Sequence, residues 1–368
     1  MVDKMKITAI RLATLSVPLK TPFKTAVRTV ESIKNLIIEI HTDSGHIGYG
    51  EAPPTGLVTG DTMGANIAAI KEHIAPSIVG KSIKDFDELL CRVYKSIQHN
   101  TSAKAAVDMA LFDLFAQSLN VPLYRILGGD GKAIETDITI SVNEPEEMVR
   151  DSLDAVKRGY QTLKIKVGKD ANKDIERMTK IREAIGFDAA LRIDANQGWK
   201  PKEAVTILNE MDRSGLDIEF VEQPVIQQDI AGLKYVTEHV MIPVMADESV
   251  YSPQDANQLL INNACDMINI KLMKTGGLRQ ALQICNLAEM YNVECMLGCM
   301  LETKVSITAA VHLASARRNI ITKIDLDGPV LCAEDPIEGG AVFEEANISL
   351  SDEPGLGIKR INGLVYID

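Results

Sequence analysis

The chain has 368 residues, with 46% hydrophobic and 24% charged residues and a formal net charge of −12 at pH 7. That length supports a large core and more than one domain. The acidic balance excludes the basic patches on which nucleic-acid binding rests, and no apolar run approaches the roughly 20 residues of a membrane span.

The N-terminal MVDKMKITAIRL lacks the long apolar segment of a secretory leader and runs straight into a strand-like pattern. Residues 1–60 read as strands. KITAIRLATLSVPL alternates in part, NLIIEIHTDSG ends in a turn, and HIGYGEAPP follows. From Thr62 to Leu127 the pattern becomes helical. SAKAAVDMALFDLFAQSLN reads there as an amphipathic, Ala-rich helix capped by Ser102. The turn LGGDGK at 127–132 marks a boundary. Beyond it come eight strand candidates: TDITISV, TLKIKVG, LRIDA, IEFVEQP, IPVMADE, MINIKL, ECMLGCM and ITKIDLDG. The helices between the first of them end in Gly, the residue favoured just past a helix C-terminus. Strand–helix alternation of this kind predicts an α/β chain closed into a parallel (β/α)8-type barrel. Solenoid repeats are the rival, but these units share a period and little sequence. The expected layout is an α+β capping domain at 1–127, a barrel at 128–345 and a segment at 346–368 that returns to the capping domain. The six cysteines are scattered, and Cys295/Cys299 lacks a second pair at zinc spacing. Buried, reduced thiols and a cytoplasmic address are expected.

The spacing of charged residues along this repeat carries the chemistry. Lys166, Asp194, Glu222, Asp247 and Lys271 follow one another at 28, 28, 25 and 24 residues, each at the end of a strand candidate. That step is one βα unit, so the barrel gathers them on the rim where active sites of this fold lie. Strand period two puts Lys164 on the same face as Lys166. Three oxygen-donor acids suit a hard divalent cation. Lysines crowded together, near such a cation, are expected to have lowered pKa values that suit a general base. Asn196 and Glu248, just beyond two of the acids, are expected to support them from behind. In KIDLDGP, Asp325 and Asp327 share one face at the barrel mouth and suit a cationic group. His312, in ITAAVHLASARRN, reads as a packing residue.

This set resembles the enolase superfamily in its muconate-lactonizing-enzyme-like branch, over nearly the whole chain. The resemblance rests on the K-x-K of Lys164/Lys166, the acids Asp194, Glu222 and Asp247, and Lys271 in NIK. It implies a modified (β/α)7β barrel and one Mg²⁺ per subunit held by the three acids. It also implies abstraction of a proton next to a substrate carboxylate to give a metal-stabilised enediolate. Mandelate-racemase-like relatives use a His–Asp pair, whereas the seventh strand here carries no His. The D-x-D of Asp325/Asp327 is similar to that with which dipeptide epimerases hold a substrate ammonium. The implied activity is inversion of the C-terminal residue of a dipeptide, most simply L-Ala-D/L-Glu from cell-wall peptide turnover. Lys166 and Lys271 are implied as the two bases and Lys164 as the stabiliser of the developing charge. Arg28, in the early loop PFKTAVRTV, is the residue suited to an acidic side chain. The segment VTGDT (58–62) is expected to close over the substrate, and Thr139 and Leu301 to line its side-chain pocket. A homo-oligomer acting on a small dipeptide, with neither nucleic acid nor membrane as partner, is the expected state. The competing readings are an o-succinylbenzoate-synthase- or cycloisomerase-like enzyme acting on an acid without an ammonium group, and a non-catalytic binding protein on the same fold.

Overall fold

A computed structural model describes residues 5–24, 29–168 and 170–367. Arg28 and the rest of 25–28 lie outside the described residues. The chain begins with three antiparallel strands, Ile7–Lys24, Thr29–Thr42 and Ile47–Ala52, and its last strand, Val365–Ile367, pairs with the first through Leu12↔Ile367. Asn35–Ile40 reads NLIIEI because this part of the sheet is covered on both sides. Leu36, Ile38 and Ile40 pack against helices, whereas Ile33 and Ile37 join Leu15, Val17, Leu301 and Val305 in a second cluster. That second cluster joins the sheet to the loop after the seventh barrel strand.

The helix Thr101–Ser118 lies on this sheet. The predicted amphipathic pattern is not what forms: 14 of its 18 residues are buried, Lys104, Asp108 and Asp113 among them. The helix is enclosed by the sheet on one side and by barrel helices on the other. Its N-cap is Asn100; Ser102 is not the cap but donates from its backbone N–H to Asp61. The approach to the sheet is so close that a Cβ on Gly50 would come within 1.9 Å of the Ala106 carbonyl oxygen. Backbone cannot rotate aside as a side chain can. Gly50→Ala is therefore expected to destabilise the fold by at least the ~1–3 kcal/mol typical of overpacking. A urea titration that places the variant's midpoint with wild type would contradict this.

Eight parallel strands follow, in the order Ile138–Ile140, Thr162–Lys166, Ala190–Asp194, Ile218–Glu222, Val244–Ala246, Met267–Lys271, Glu294–Gly298 and Ile321–Asp325. We number them one to eight. Strands one and eight do not form a ladder, but Asp137 N donates to Ile324 O at 3.3 Å and Leu326 N to Thr136 Oγ1 at 2.8 Å, so the barrel is nearly closed. After strand eight comes only the short helix Gly328–Leu331, then short strands that lead back to the first sheet. Inside the barrel, Phe220, Met245, Met267 and Met296 form an apolar plug. Two residues further along, the same inward face turns polar: Glu222 and Asn269 lie on strands four and six, and Asp247 directly follows strand five. The plug is the floor of the site and the charged layer is its wall. No helix among the described residues is long and apolar enough to cross a membrane, and all six cysteines are free.

Candidate active site

The charged layer opens into a cleft enclosing about 780 Å³, part of it open to solvent. Lys164, Lys166 and Lys271 line it, together with Asn196, Glu248, Asp325 and Asp327. Thr139 and Leu301 are on its wall, as are Phe23, Leu57 and Val58 from the capping domain. Every site residue named from the sequence and described in the structure is thus in or directly behind one cavity. The segment around 58–62 contributes Leu57 and Val58, with Val58 O accepting from Tyr251 OH.

Asp194, Glu222 and Asp247 end or directly follow strands three, four and five and are buried. Lysines hold them from both sides. Lys166 Nζ donates to Asp194 Oδ2 at 2.6 Å, and Lys271 Nζ to Asp247 Oδ2 at 2.7 Å. Lys164 Nζ lies between, 3.2 Å from Asp194, 2.7 Å from Glu222 and 2.6 Å from Asp325. Lys166 and Lys271, from strands two and six, flank the row of three acids. Gly298 on strand seven makes room for the second of them: a Cβ there would lie 2.7 Å from Asn269 Oδ1 and 3.1 Å from Lys271 Cε.

Sequence reasoning missed several members. Lys274 is fully buried and donates to Asp247 Oδ1 at 2.5 Å and to the Asp247 backbone carbonyl. Asn269 donates to Glu222 Oε1 at 2.8 Å. Gln223 Oε1 accepts from Asp247 N and Ser249 N, fixing the turn after strand five. Asn269 was within reach of the period-two rule, since it lies two residues before Lys271. Lys274 lies in the short helix Leu272–Thr275, where the strand period no longer applies.

Lowered lysine pKa values are expected beside a cation; the protein's own groups act in the other direction. Burial opposes the charge on Lys164 and Lys271, but the surrounding carboxylates outweigh it and hold both well above the usual ammonium range. Like-charge repulsion between lysines loses here because more acids than lysines face them. Burial also opposes ionisation of Asp194, yet Lys166 and Lys164 bring it down to about 2. Glu222 goes the other way: burial and then Asp194 push it up to about 8. Glu248 rises to about 7 through burial and Asp247, and Asp327 to about 6 through burial and Asp325. Six carboxyls and four lysines meet in and behind this cleft, so the acids outnumber the lysines, and Glu222 and Glu248 hold on to their protons more tightly than ordinary carboxyls do.

Those features bear on whether a divalent cation fits. Among the described residues no three His, Cys, Asp or Glu side chains converge as a ready-made metal cage; the carboxylates are drawn onto lysines instead. The donor set nevertheless suits a hard cation, being all oxygen. Glu222 Oε2 is buried against Lys164 Nζ at 2.7 Å, and Glu248 Oε2 and Asn196 Oδ1 are buried with no hydrogen-bond partner among the described residues. A dication beside Asp194, Glu222 and Asp247 would favour the ionised form of all three and compete with the lysines for their oxygens. Asn196 N donates to Asp194 Oδ1 at 2.9 Å and Asn196 Nδ2 reaches Glu248 Oε1 at 3.3 Å, so Asn196 braces one of the acids and Glu248 touches Asn196.

At the far wall, Asp325 accepts from Lys164 and Asp327 Oδ2 accepts from Thr139 N at 2.8 Å, which ties strand eight to strand one. His312 is buried away from this chemistry, its Nδ1 accepting from Tyr124 N at 3.0 Å.

Comparison with known proteins decides the family. Residues 7–128 match the mandelate racemase/muconate lactonizing enzyme N-terminal domain, and residues 147–360 the enolase C-terminal domain-like family. The chain belongs to this family of the enolase superfamily. It is 62% identical over 348 residues to the L-Ala-D/L-Glu epimerase of Clostridium acetobutylicum, covering 95% of this chain and 97% of that protein. The solved substrate-liganded complex of the L-Ala-D/L-Glu epimerase from Bacillus subtilis matches with a TM-score of 0.95 at 48% identity, over 98% of this chain and 100% of that one. The dipeptide epimerase from Enterococcus faecalis, solved with Mg and the dipeptide L-Leu-L-Tyr, matches with a TM-score of 0.92 at 41% identity, over 97% of this chain and 100% of that one. The chain is an enzyme of the isomerase class.

Proposed function

We propose that the protein is a Mg²⁺-dependent dipeptide epimerase that inverts the α-carbon of the C-terminal residue of L-Ala-D/L-Glu. The observation that carries this is the pair Lys166 and Lys271, placed on strands two and six on either side of three buried carboxylates. Relatives that bear this activity cover nearly the whole chain.

Asp194, Glu222 and Asp247 would hold the metal, one ion per subunit. When bound, Mg²⁺ supplies positive charge to the substrate carboxylate and so acidifies the adjacent carbon. Lys166 takes or returns the α-proton on one face of that carbon and Lys271 does so on the other. A lysine held far above neutral pH by acids is a poor base; a dication on those acids lowers that hold. Lys164, between Asp194, Glu222 and Asp325, faces the charge that builds on the carboxylate as the proton leaves. Asp325 and Asp327 receive the substrate ammonium. That contact favours a dipeptide over an acid without an amine, the substrate of the rival cycloisomerase-like reading. Thr139 and Leu301 border the side chains. A cytoplasmic location, a role in recycling cell-wall peptides and a homo-oligomeric state are part of the same reading.

Arg28 is assigned to the glutamate side chain. A charge-assisted hydrogen bond is worth roughly 1.5–3 kcal/mol, or about 10- to 150-fold in binding. Arg28→Ala is expected to lower kcat/KM for L-Ala-L-Glu by that order while sparing L-Ala-L-Leu. The check is the ratio of the two activities in wild type and variant, followed by polarimetry. An unchanged ratio would leave a dipeptide epimerase whose acidic preference comes from elsewhere.

A further inference from the structure

Behind the loop that follows strand seven, two buried carboxyl groups share one hydroxyl. Glu51 comes from the third strand of the capping sheet, and Glu302 follows the cavity-lining residues Met300 and Leu301. Both are buried. Ser306 Oγ lies 2.9 Å from Glu51 Oε2 and 2.5 Å from Glu302 Oε2.

A serine hydroxyl has one proton and donates to one acceptor. With both carboxyls ionised, one of these two contacts would have no proton in it. One further proton completes a chain, from Glu302 to Ser306 and from Ser306 to Glu51. The other partners decide which carboxyl carries it. Glu51 accepts from Thr303 N at 2.8 Å, Ser306 N at 3.1 Å, Asn35 Nδ2 at 2.7 Å and Thr303 Oγ1 at 2.9 Å. It thus caps the positive end of the helix Lys304–Ala316, where a negative charge is stabilised. Among the described residues Glu302 accepts one further bond, from Met300 N at 2.7 Å.

We propose that Glu302 is a neutral carboxylic acid in the working enzyme, and that Glu302, Ser306 and Glu51 form a positioning relay that fixes the Met300–Leu301 wall against the substrate. Glu302 holds the backbone of Met300. Asn35, bound to Glu51, also donates to Leu301 O at 3.0 Å. The capping domain thereby sets the shape of a pocket wall that belongs to the barrel. None of the three residues lines the cleft.

Burial and then Glu51 raise the Glu302 carboxyl to about 7. The titratable groups facing it are Glu51 from the capping sheet, Lys271 from strand six and Cys299 from the loop after strand seven. The folded chain thus keeps a proton that an unfolded glutamate releases near pH ~4.3. Its contribution to stability is full below that pH and is lost as pH rises towards about 7.

Glu302→Gln tests this directly, because an amide accepts from Met300 N and donates to Ser306 just as the acid does. Three results are expected. Infrared spectra of the wild type at pH 6 contain the carbonyl stretch of a protonated carboxyl that is missing in Glu302→Gln. The decline of wild-type thermal stability between pH 5 and 7 becomes shallower in the variant. For dipeptide turnover, which rests on the function proposed above, Glu302→Gln keeps the wild-type KM, whereas Glu302→Ala raises it by about tenfold, the order of one lost buried hydrogen bond, with kcat nearly unchanged. The spectrum and the melting curves need no substrate, so they stand even if the dipeptide assignment fails. Identical wild-type and Glu302→Gln infrared spectra, or a glutamine variant as impaired as the alanine one, would overturn the relay.

Discussion

Stripping divalent cations is expected to abolish epimerisation, and Mg²⁺ to restore it. Glu222 is the group that most needs the ion. Its carboxyl is pushed up to about 8 by burial and by Asp194, and its Oε2 rests on Lys164 Nζ at 2.7 Å, an ammonium it shares with Asp194 and Asp325. Asp247 is the most firmly placed member, with Lys271 on Oδ2, Lys274 on Oδ1 and Gln223 on its backbone. Asp247→Asn keeps the shape and removes the charge. It should weaken Mg²⁺ binding and reduce turnover to background. Binding is measured apart from activity: Mg²⁺ should raise the melting temperature of wild type, by mass action on the folded state, and have little effect on Asp247→Asn. Full activity after exhaustive treatment with EDTA would remove the metal from the account.

Loss of either flanking lysine should be as severe. A positioned acid or base contributes about 10²- to 10⁴-fold to rate, so Lys166→Ala and Lys271→Ala are each expected to lower kcat for epimerisation by at least that much. The double variant should be scarcely worse than either single one, because inversion needs a proton removed on one face and delivered on the other. The lysines also neutralise buried carboxylates: Lys166 pairs with Asp194, and Lys271 with Asp247. Truncation leaves those charges uncompensated, so circular dichroism and melting curves must accompany the rates. Lys→Met, which keeps the volume of the stem, serves as the second variant. Turnover at wild-type rate by either folded variant would contradict the assignment.

The sequence made the barrel readable because its period is enforced twice. Apolar runs mark the strands, and a charged residue recurs at the same end of successive ones. Lys164, Asp194, Glu222 and Asp247 could be placed together without coordinates for that reason. What stayed hidden depends on contacts distant in sequence. The helix Thr101–Ser118 looked amphipathic because Lys104, Asp108 and Asp113 are polar, but Asp108 accepts from Leu278 N of a barrel helix and Asp113 from Leu356 N of the C-terminal segment. Burial pushes these two acids up to about 7 and about 6. Glu51 and Glu302 are 251 positions apart and join through Ser306, a link no local pattern announces. The lysines illustrate a different limit. Their proximity was foreseen, but the upward shift of Lys164 and Lys271 depends on how many acids face them, which only the assembled cavity reveals.

The central claim is that Lys166 and Lys271 address opposite faces of one α-carbon. Exchange of that hydrogen in D₂O tests it most directly. L-Ala-L-Glu and L-Ala-D-Glu are incubated separately with Lys166→Ala and with Lys271→Ala, in the presence of Mg²⁺, and α-deuteration is followed by NMR. Each variant is predicted to exchange the α-hydrogen of one diastereomer only, the two variants choosing opposite ones, with neither producing the other epimer. Exchange of both diastereomers by a single variant, or retention of full epimerisation, would contradict a mechanism with one lysine on each face.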